Sequence, residues 1–276
     1  MSNSALINQL LSDLGGDDKD KQRNAICRLA QMDDPQVLPA LIGCLDHRDR
    51  DIRVVAVQSL TLVGDPSAVP ALVKRLTDRS NQVRRAAVQA LGALGDGAAT
   101  PGLIGALLGD ESSYVRREAA NALRALEDDL AVPELLEALS ADTSSFVRYA
   151  AAEALGAIGE SSALEGLELA LLSDENSYVR YAAAKALGQI ADSSAVPALL
   201  KSLETDNDHV WHAAAEALWN MDEEAMPYIL DALVSDQRTT RRVGLKALLW
   251  LSVEFDDESV ADRQNLDWVN MWGWWN

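Results

Sequence analysis

The chain has 276 residues, 48% of them hydrophobic, and its formal net charge at pH 7 is −19. This excess of Asp and Glu argues against nucleic acid as a partner, because phosphate binding needs clustered Lys and Arg. No run of about 18 apolar residues is present, so no membrane span is expected. The first residues lack a basic region followed by an apolar one, and two cysteines make no disulfide framework. We therefore expect a cytoplasmic protein.

One segment recurs from near the start of the chain to about residue 250. Aligned on a single Arg, the copies follow one another at steps of 30 to 32 residues. The aligned residues are Arg23, Arg53, Arg84, Arg116, Arg148, Arg180, Trp211 and Arg242. We predict a repeat domain over residues 1–250, in which residues 1–17 form an N-terminal cap. Residues 251–276 depart from the repeat and hold four of the seven tryptophans, which indicates a separate cap or tail.

Each copy of the repeat predicts two helices. Around the Arg, apolar residues recur at helical spacing, as at Val179, Ala183 and Leu187, which indicates an amphipathic helix. A turn follows, and a second helix then begins with Pro in its first turn, where a missing N–H is tolerated. These prolines are Pro39, Pro70, Pro101, Pro133, Pro197 and Pro227. One hairpin cannot bury its apolar face alone, so stacking into an all-α solenoid is predicted.

A column of Asp residues accompanies the Arg column. It consists of Asp46, Asp78, Asp110, Asp142, Asp174, Asp206 and Asp236. We interpret these residues as helix caps and ion-pair partners along the stack rather than as catalytic groups. In the first repeat, Cys27 falls in a column of small apolar residues, so its burial is predicted.

The segment "DENSYVRYAAAKALGQIADSSAVPALLKSL" resembles the HEAT repeat, in particular its phycobilisome-lyase-like subclass. The resemblance covers about residues 18–250. It implies a right-handed α-solenoid of about seven to eight helical hairpins. In that family the Pro-containing helices form the convex layer and the Arg-bearing helices line the concave, ligand-facing side.

Residues that flank the Arg column should then face the groove, and several of them are aromatic. Clustered aromatic side chains indicate a binding surface, although packing between adjacent helices is the alternative interpretation. His209 and His212 lack a third ligand nearby, so we predict no metal site, and no catalytic motif is recognised. The predicted partner-binding residues are Tyr114, Arg117, Phe146, Tyr149, Tyr178, Tyr181, His209, Trp211 and His212.

These features favour a non-catalytic scaffold or assembly factor that binds a protein partner and needs no cofactor. The resemblance also implies two alternatives. One is an E/F-type bilin lyase subunit or chaperone, which would hold a bilin and attach it to a phycobiliprotein subunit. The other is a partner of an A-type iron–sulfur carrier.

Overall fold

The computed structural model describes residues 3–205 and 208–252. In these ranges the regular structure consists of 16 α-helices and short 3₁₀ helices, without a β-strand. The odd-numbered α-helices are α1 (Asn3–Leu14), α3 (Val37–Cys44), α5 (Val69–Val73), α7 (Thr100–Gly109), α9 (Val132–Ala141), α11 (Leu164–Ser173), α13 (Val196–Thr205) and α15 (Met226–Val234). The even-numbered α-helices are α2 (Lys19–Leu29), α4 (Arg50–Val63), α6 (Asn81–Leu94), α8 (Ser113–Leu126), α10 (Ser145–Ile158), α12 (Ser177–Ile190), α14 (Asp208–Asn220) and α16 (Arg238–Ser252).

Each odd-numbered helix packs on the even-numbered helix that follows it, which gives eight hairpins from α1 to α16 in the described residues. The hairpin predicted from the sequence instead grouped each Arg-bearing helix with the Pro-containing helix after it. Short 3₁₀ helices lead into α5 and the later odd-numbered helices, and Lys74–Thr77 extends α5. The leading 3₁₀ helices are Pro66–Ala68, Gly97–Ala99, Asp129–Ala131, Ser161–Ala163, Ser193–Ala195 and Asp222–Glu224. This arrangement confirms the predicted all-α solenoid.

The sequence pattern explains where the helices begin, end and bury their surface. In α6, the buried residues Val83, Ala87 and Leu91 recur at four-residue spacing and face the core. Pro lies near the start of α3, α5, α7, α9, α13 and α15, as at the second residue of α7, whereas α11 has Glu165 at that position. After α10, Gly159 has φ of 79° and closes the helix in the left-handed conformation that favours glycine.

The two layers are packed with different side chains. Even-numbered helices approach one another through Ala and Gly, and a Cβ on Gly188 would lie 2.7 Å from the Cα of Ala217. Odd-numbered helices meet through larger side chains, such as Leu76 and Val73 beside Gly102. Contacts between neighbouring even-numbered helices are correspondingly more extensive. A stack curves towards its more closely spaced layer, so the even-numbered helices form the concave side.

Buried ion pairs join successive repeats and form what we term the Arg ladder. Arg148 of α10 donates from Nε and Nη2 to the Asp174 carboxylate in the next repeat, at 2.7 and 3.0 Å. Its Nη1 donates to the carbonyl oxygen of Asp142, which precedes its own helix. The same pattern joins Arg53 to Asp78, Arg84 to Asp110 and Arg116 to Asp142. The predicted ion-pair ladder is thus present at these four positions.

Ladder carboxylates also bind the helix that follows them. Oδ1 of Asp142 accepts from the backbone N–H of Ser144 at 2.8 Å. Burial acts to raise the pKa of Asp142, but the hydrogen bonds from Arg116 and Ser144 outweigh it, so the pKa lies below its ordinary value. The Asp142 carboxylate therefore stays charged at neutral pH and ties Arg116 to the start of α10.

The structure corrects the predicted alignment by one residue at both ends. Each ladder Arg is the fourth residue of its helix, and that position is Gln22 in α2 and Arg241 in α16, not Arg23 and Arg242. The Gln22 side chain donates to the carbonyl oxygen of Gly16, and Arg241 donates to that of Ser235, in both cases six residues earlier. Arg23 is exposed, and so are both Arg241 and Arg242.

Three further predictions change with this register. Asp46 is exposed and pairs with Arg75 at 2.9 Å, because His47 occupies the ladder position and accepts from the N–H of Asp49. Ser235 likewise stands where Asp236 was predicted. Cys27 is exposed rather than buried, since it is the ninth residue of α2 and not a core residue. Asp206 lies outside the described residues.

Both ends of the predicted domain division are only partly described. The first helix, α1, packs on α2 and buries Ile7 and Leu10. The predicted Trp-rich segment over residues 251–276 lies outside the described residues from residue 253 onwards. None of the helices in the described ranges has the length and hydrophobicity that a membrane-spanning helix requires.

Candidate functional site

The concave side presents a recurring set of side chains that we term the inner face. It comprises the second, fifth and ninth residues of the even-numbered helices from α6 to α14, together with Arg124 of α8. At about 100° per residue, these three helix positions lie within about 60° of one another, so their side chains share one helix face. Since the even-numbered layer is concave, the inner face lines the hollow of the solenoid.

Three large aromatic side chains on the inner face are exposed. Tyr114, Phe146 and Tyr178 are the second residues of α8, α10 and α12, and their exposed fractions are 64%, 69% and 68%. Arg117 places its guanidinium carbon 5.9 Å from the centre of the Tyr114 ring and pairs with Glu118 at 3.0 Å. The sequence interpretation as an accessible aromatic row therefore fits these three residues.

The other predicted aromatic residues are half-buried. Tyr149 and Tyr181, the fifth residues of α10 and α12, pack against the core and keep part of their surface accessible. Trp211 also packs against the core, and its ring makes an edge contact with His212 at 5.1 Å between centres. Each of these side chains packs between helices and also borders the inner face, and its contact with a partner stays a prediction.

The two histidines lie on α14. His209 is exposed and His212 is half-buried, so both belong to the inner face at the C-terminal end of the described residues. Within the described ranges, no group of three or more His, Cys, Asp or Glu side chains could hold a metal ion.

A polar cluster links α8, α10 and α12 at the middle of the inner face. Glu153 accepts from the Tyr149 hydroxyl and pairs with Nη1 of Arg124, both at 3.2 Å. Burial raises the pKa of Tyr149, and the charge and hydrogen bond of Glu153 raise it further. The Tyr149 hydroxyl is therefore protonated at neutral pH and acts as a donor. On the next helix of this layer, the Lys185 ammonium lies 5.7 Å from the centre of the Tyr181 ring.

Next to this cluster is a cavity of about 150 Å³. It is lined by Arg124, Glu153, Ala157, Ala182, Lys185 and Gln189. The sequence interpretation had missed Arg124, which is the twelfth residue of α8. The equivalent residues of α6, α10 and α12 are Gly92, Gly156 and Gly188, so an Arg in a column of glycines was the available signal.

Comparison with known families and structures agrees with this architecture. The family model of HEAT repeats matches residues 4–92, 44–124, 100–173 and 164–249. No curated protein matches the chain at a significant level.

Three solved structures are similar to the chain. An engineered protein is 23% identical, with a TM-score of 0.52, and the match covers 89% of this chain and 78% of that one. The complex of CpcE and CpcF of phycocyanin lyase from Nostoc sp. PCC7120 is 23% identical, with coverage of 89% and 94% and a TM-score of 0.48. Human deoxyhypusine hydroxylase in complex with glycerol is 24% identical, with coverage of 90% and 96% and a TM-score of 0.42.

At these identities structural likeness reports on the fold alone, and the likeness to the engineered protein supports the helical-repeat architecture. The family matches extend over residues 4–249, the region in which the helical hairpins and the Arg ladder lie. The chain therefore belongs to the family of HEAT-repeat proteins.

Proposed function

We propose that this protein is a non-catalytic scaffold or assembly factor that binds a protein partner through its inner face. One observation carries the proposal: Tyr114, Phe146 and Tyr178 recur at the same position of three consecutive helices and are each about two-thirds exposed. Burial of a large, rigid aromatic side chain against a partner contributes a large favourable free energy of binding, because apolar surface is removed from water. Aromatic residues are correspondingly enriched among the residues that dominate binding interfaces.

The rest of the concave surface supports recognition rather than turnover. The buried charges of the Arg ladder are hydrogen-bonded within the stack, so they serve the fold. The polar residues of the inner face differ from one repeat to the next, with Asn121, Glu153 and Lys185 at the same position of consecutive helices. Such variation on a repeated scaffold suits a partner with a specific surface.

Affinity purification from the source organism, with mass spectrometry of the eluate, tests the proposal. The variant combines Phe146→Ala and Tyr178→Ala. The matched control combines Leu130→Ala and Leu169→Ala, which removes equally exposed apolar side chains outside the inner face. We expect a protein that is retained by the wild type and the control but lost with the variant. Equal recovery with all three would contradict the proposal.

The same eluate tests the two alternatives that the family resemblance suggests. A visible absorption band that accompanies a retained phycobiliprotein subunit would favour the bilin lyase or chaperone. An iron–sulfur carrier among the proteins lost with the variant would favour the second alternative. A colourless partner of another kind would favour the general scaffold.

A further inference from the structure

Charge is distributed unevenly between the inner face and the whole chain. The chain has a formal charge of −19. The inner face instead carries the cations Arg85, Arg117, Arg124 and Lys185 against the carboxylates Glu153 and Glu216. The residues of the inner face thus include four cations and two carboxylates, although the molecule as a whole is strongly acidic. A surface of this kind complements an anionic partner.

Two of these cations have capacity left for a partner. Arg117 pairs with Glu118, and Arg124 with Glu153. Arg85 and Lys185 are exposed, and neither forms an ion pair with another residue of the described ranges. Lys185 lies over the ring of Tyr181, which holds its ammonium at the inner face. A carboxylate that reached Lys185 would gain a charge-assisted hydrogen bond.

The cavity beside Lys185 has a suitable size for such a group. Its volume is about 150 Å³, below the roughly 300–1,000 Å³ of pockets that enclose drug-sized ligands. It lies between Arg124 and Lys185, while Glu153 already has Arg124 and Tyr149 as partners. The cavity can therefore accommodate a single acidic side chain of a larger partner.

The exposed aromatic residues provide a second, apolar contact for the same partner. Phe146 and Tyr178 are the second residues of α10 and α12, whereas Glu153 and Lys185 are the ninth. Seven residues of helix span about 10 Å. A partner would match this distance with an apolar and an acidic residue about three positions apart in an extended segment, or about seven apart in a helix.

We infer that the inner face binds an acidic protein segment, with a carboxylate seated between Arg124 and Lys185 and an apolar side chain against Phe146 or Tyr178. This inference rests on the proposed function and specifies its partner. It predicts that affinity falls as the salt concentration rises, because screening weakens exposed charge pairs.

Selection of random 12-residue peptides displayed on phage against the full chain tests the inference. We expect the enriched peptides to combine Asp or Glu with an aromatic or aliphatic residue at the predicted spacing. One enriched peptide is then synthesised with a fluorescent label, and its affinity is measured by anisotropy. Replacing its Asp and Glu by Asn and Gln should weaken binding at least tenfold.

Matched variants of the protein locate the site. Lys185→Glu should weaken binding of that peptide at least tenfold, whereas Lys201→Glu, the same charge change at an exposed residue of α13, should change it less than twofold. Circular dichroism checks that both variants fold. Equal effects of the two substitutions would overturn the inference.

The outcomes separate this inference from the proposed function. Neutral or basic peptides whose binding is lost with the Phe146→Ala and Tyr178→Ala variant would overturn the inference and leave the scaffold intact. Peptides that this variant binds normally, or no enrichment at all, would overturn the inference, while the affinity purification described above decides the proposed function. Self-association that this variant abolishes, measured by light scattering, would overturn the inference by showing that a second copy of the chain covers the face.

Discussion

Arg148 and Asp174 form a two-pronged ion pair in which less than a tenth of each side chain is exposed. Taking two charges out of water costs about as much as their attraction returns, so such a pair contributes little net stability. Losing one partner is different, because the other charge then remains buried without compensation. The Arg ladder therefore acts mainly by fixing how each repeat sits on the next.

Replacing Arg148 by Met tests this view of the ladder. We expect the free energy of unfolding, measured with urea, to fall by about 3–5 kcal/mol, because the Asp174 carboxylate stays buried without its cation. Arg124→Met is the control, since it breaks the more exposed pair with Glu153 and should cost less than about 1 kcal/mol. Equal losses would show that burial does not govern the strength of these pairs.

Sequence reasoning found the ladder wherever an Arg and an Asp recur together, from Arg53 to Asp174. The sequence alignment was wrong by one residue in the first and last repeats. There Gln22 and Arg241 occupy the ladder position, and Arg23 and Arg242 are their neighbours in the chain. Because a Gln can donate to the same backbone carbonyl as an Arg, the residue type alone does not identify the ladder position. The position is defined by its distance from the start of the helix, and the sequence predicts helix starts only to within a residue or two.

At the scale of helices, close approach in the even-numbered layer depends on residues without bulk. Gly188 has no room for a Cβ, which would lie 2.7 Å from the Cα and 2.8 Å from the Cβ of Ala217 on α14. Gly105 on α7 has nothing within 4 Å of the same position. Glycine is thus required by packing in α12 but not in α7.

Alanine at these two glycines should have opposite effects on stability. Gly188→Ala should lower the free energy of unfolding by about 1–3 kcal/mol, because backbone atoms of α14 must move away. Gly105→Ala should raise it by roughly 0.5–1 kcal/mol, because alanine favours helix over the unfolded chain. Urea unfolding of both variants gives the comparison. Destabilisation by both would show that helix spacing is not what Gly188 controls.

The sequence was sufficient to predict the helices but not the environment of every aromatic residue. Turn residues and the first-turn prolines located the hairpins, and the position after each Arg pointed to the inner face. Tyr149 was predicted there, yet its ring also packs against the core. Half-burial of this kind depends on the distance between neighbouring helices, which a single repeat does not encode.

At the scale of the whole molecule, stability in a stack of repeats is approximately a sum of repeat and interface contributions. Removing one complete repeat should therefore leave a shorter solenoid, provided that the new neighbours are compatible. The chain offers two deletions of equal length, residues 111–142 and residues 143–174. Both should keep the ladder pattern, because an Asp remains at the junction in each case, Asp110 or Asp142.

The two deletions differ in the interface they create. Without residues 111–142, Gly92 of α6 should take the place of Arg124. It should then pack closely against α10, as Gly156 and Gly188 pack against the next even-numbered helix. Without residues 143–174, α8 should meet α12, so Arg124 would lose Glu153 and face Lys185. Two cations, Arg124 and Lys185, would then be adjacent in place of the ion pair between Arg124 and Glu153.

We expect both deletion variants to be helical by circular dichroism, with the variant lacking residues 143–174 less stable by about 1 kcal/mol in urea at low salt. Raising the salt concentration should narrow the difference, because the repulsion is exposed to solvent and screened. Adding Lys185→Glu to that variant should restore an ion pair with Arg124 and recover most of the loss. If this substitution fails to recover stability, the difference between the two deletions does not arise from the charges that meet on the inner face.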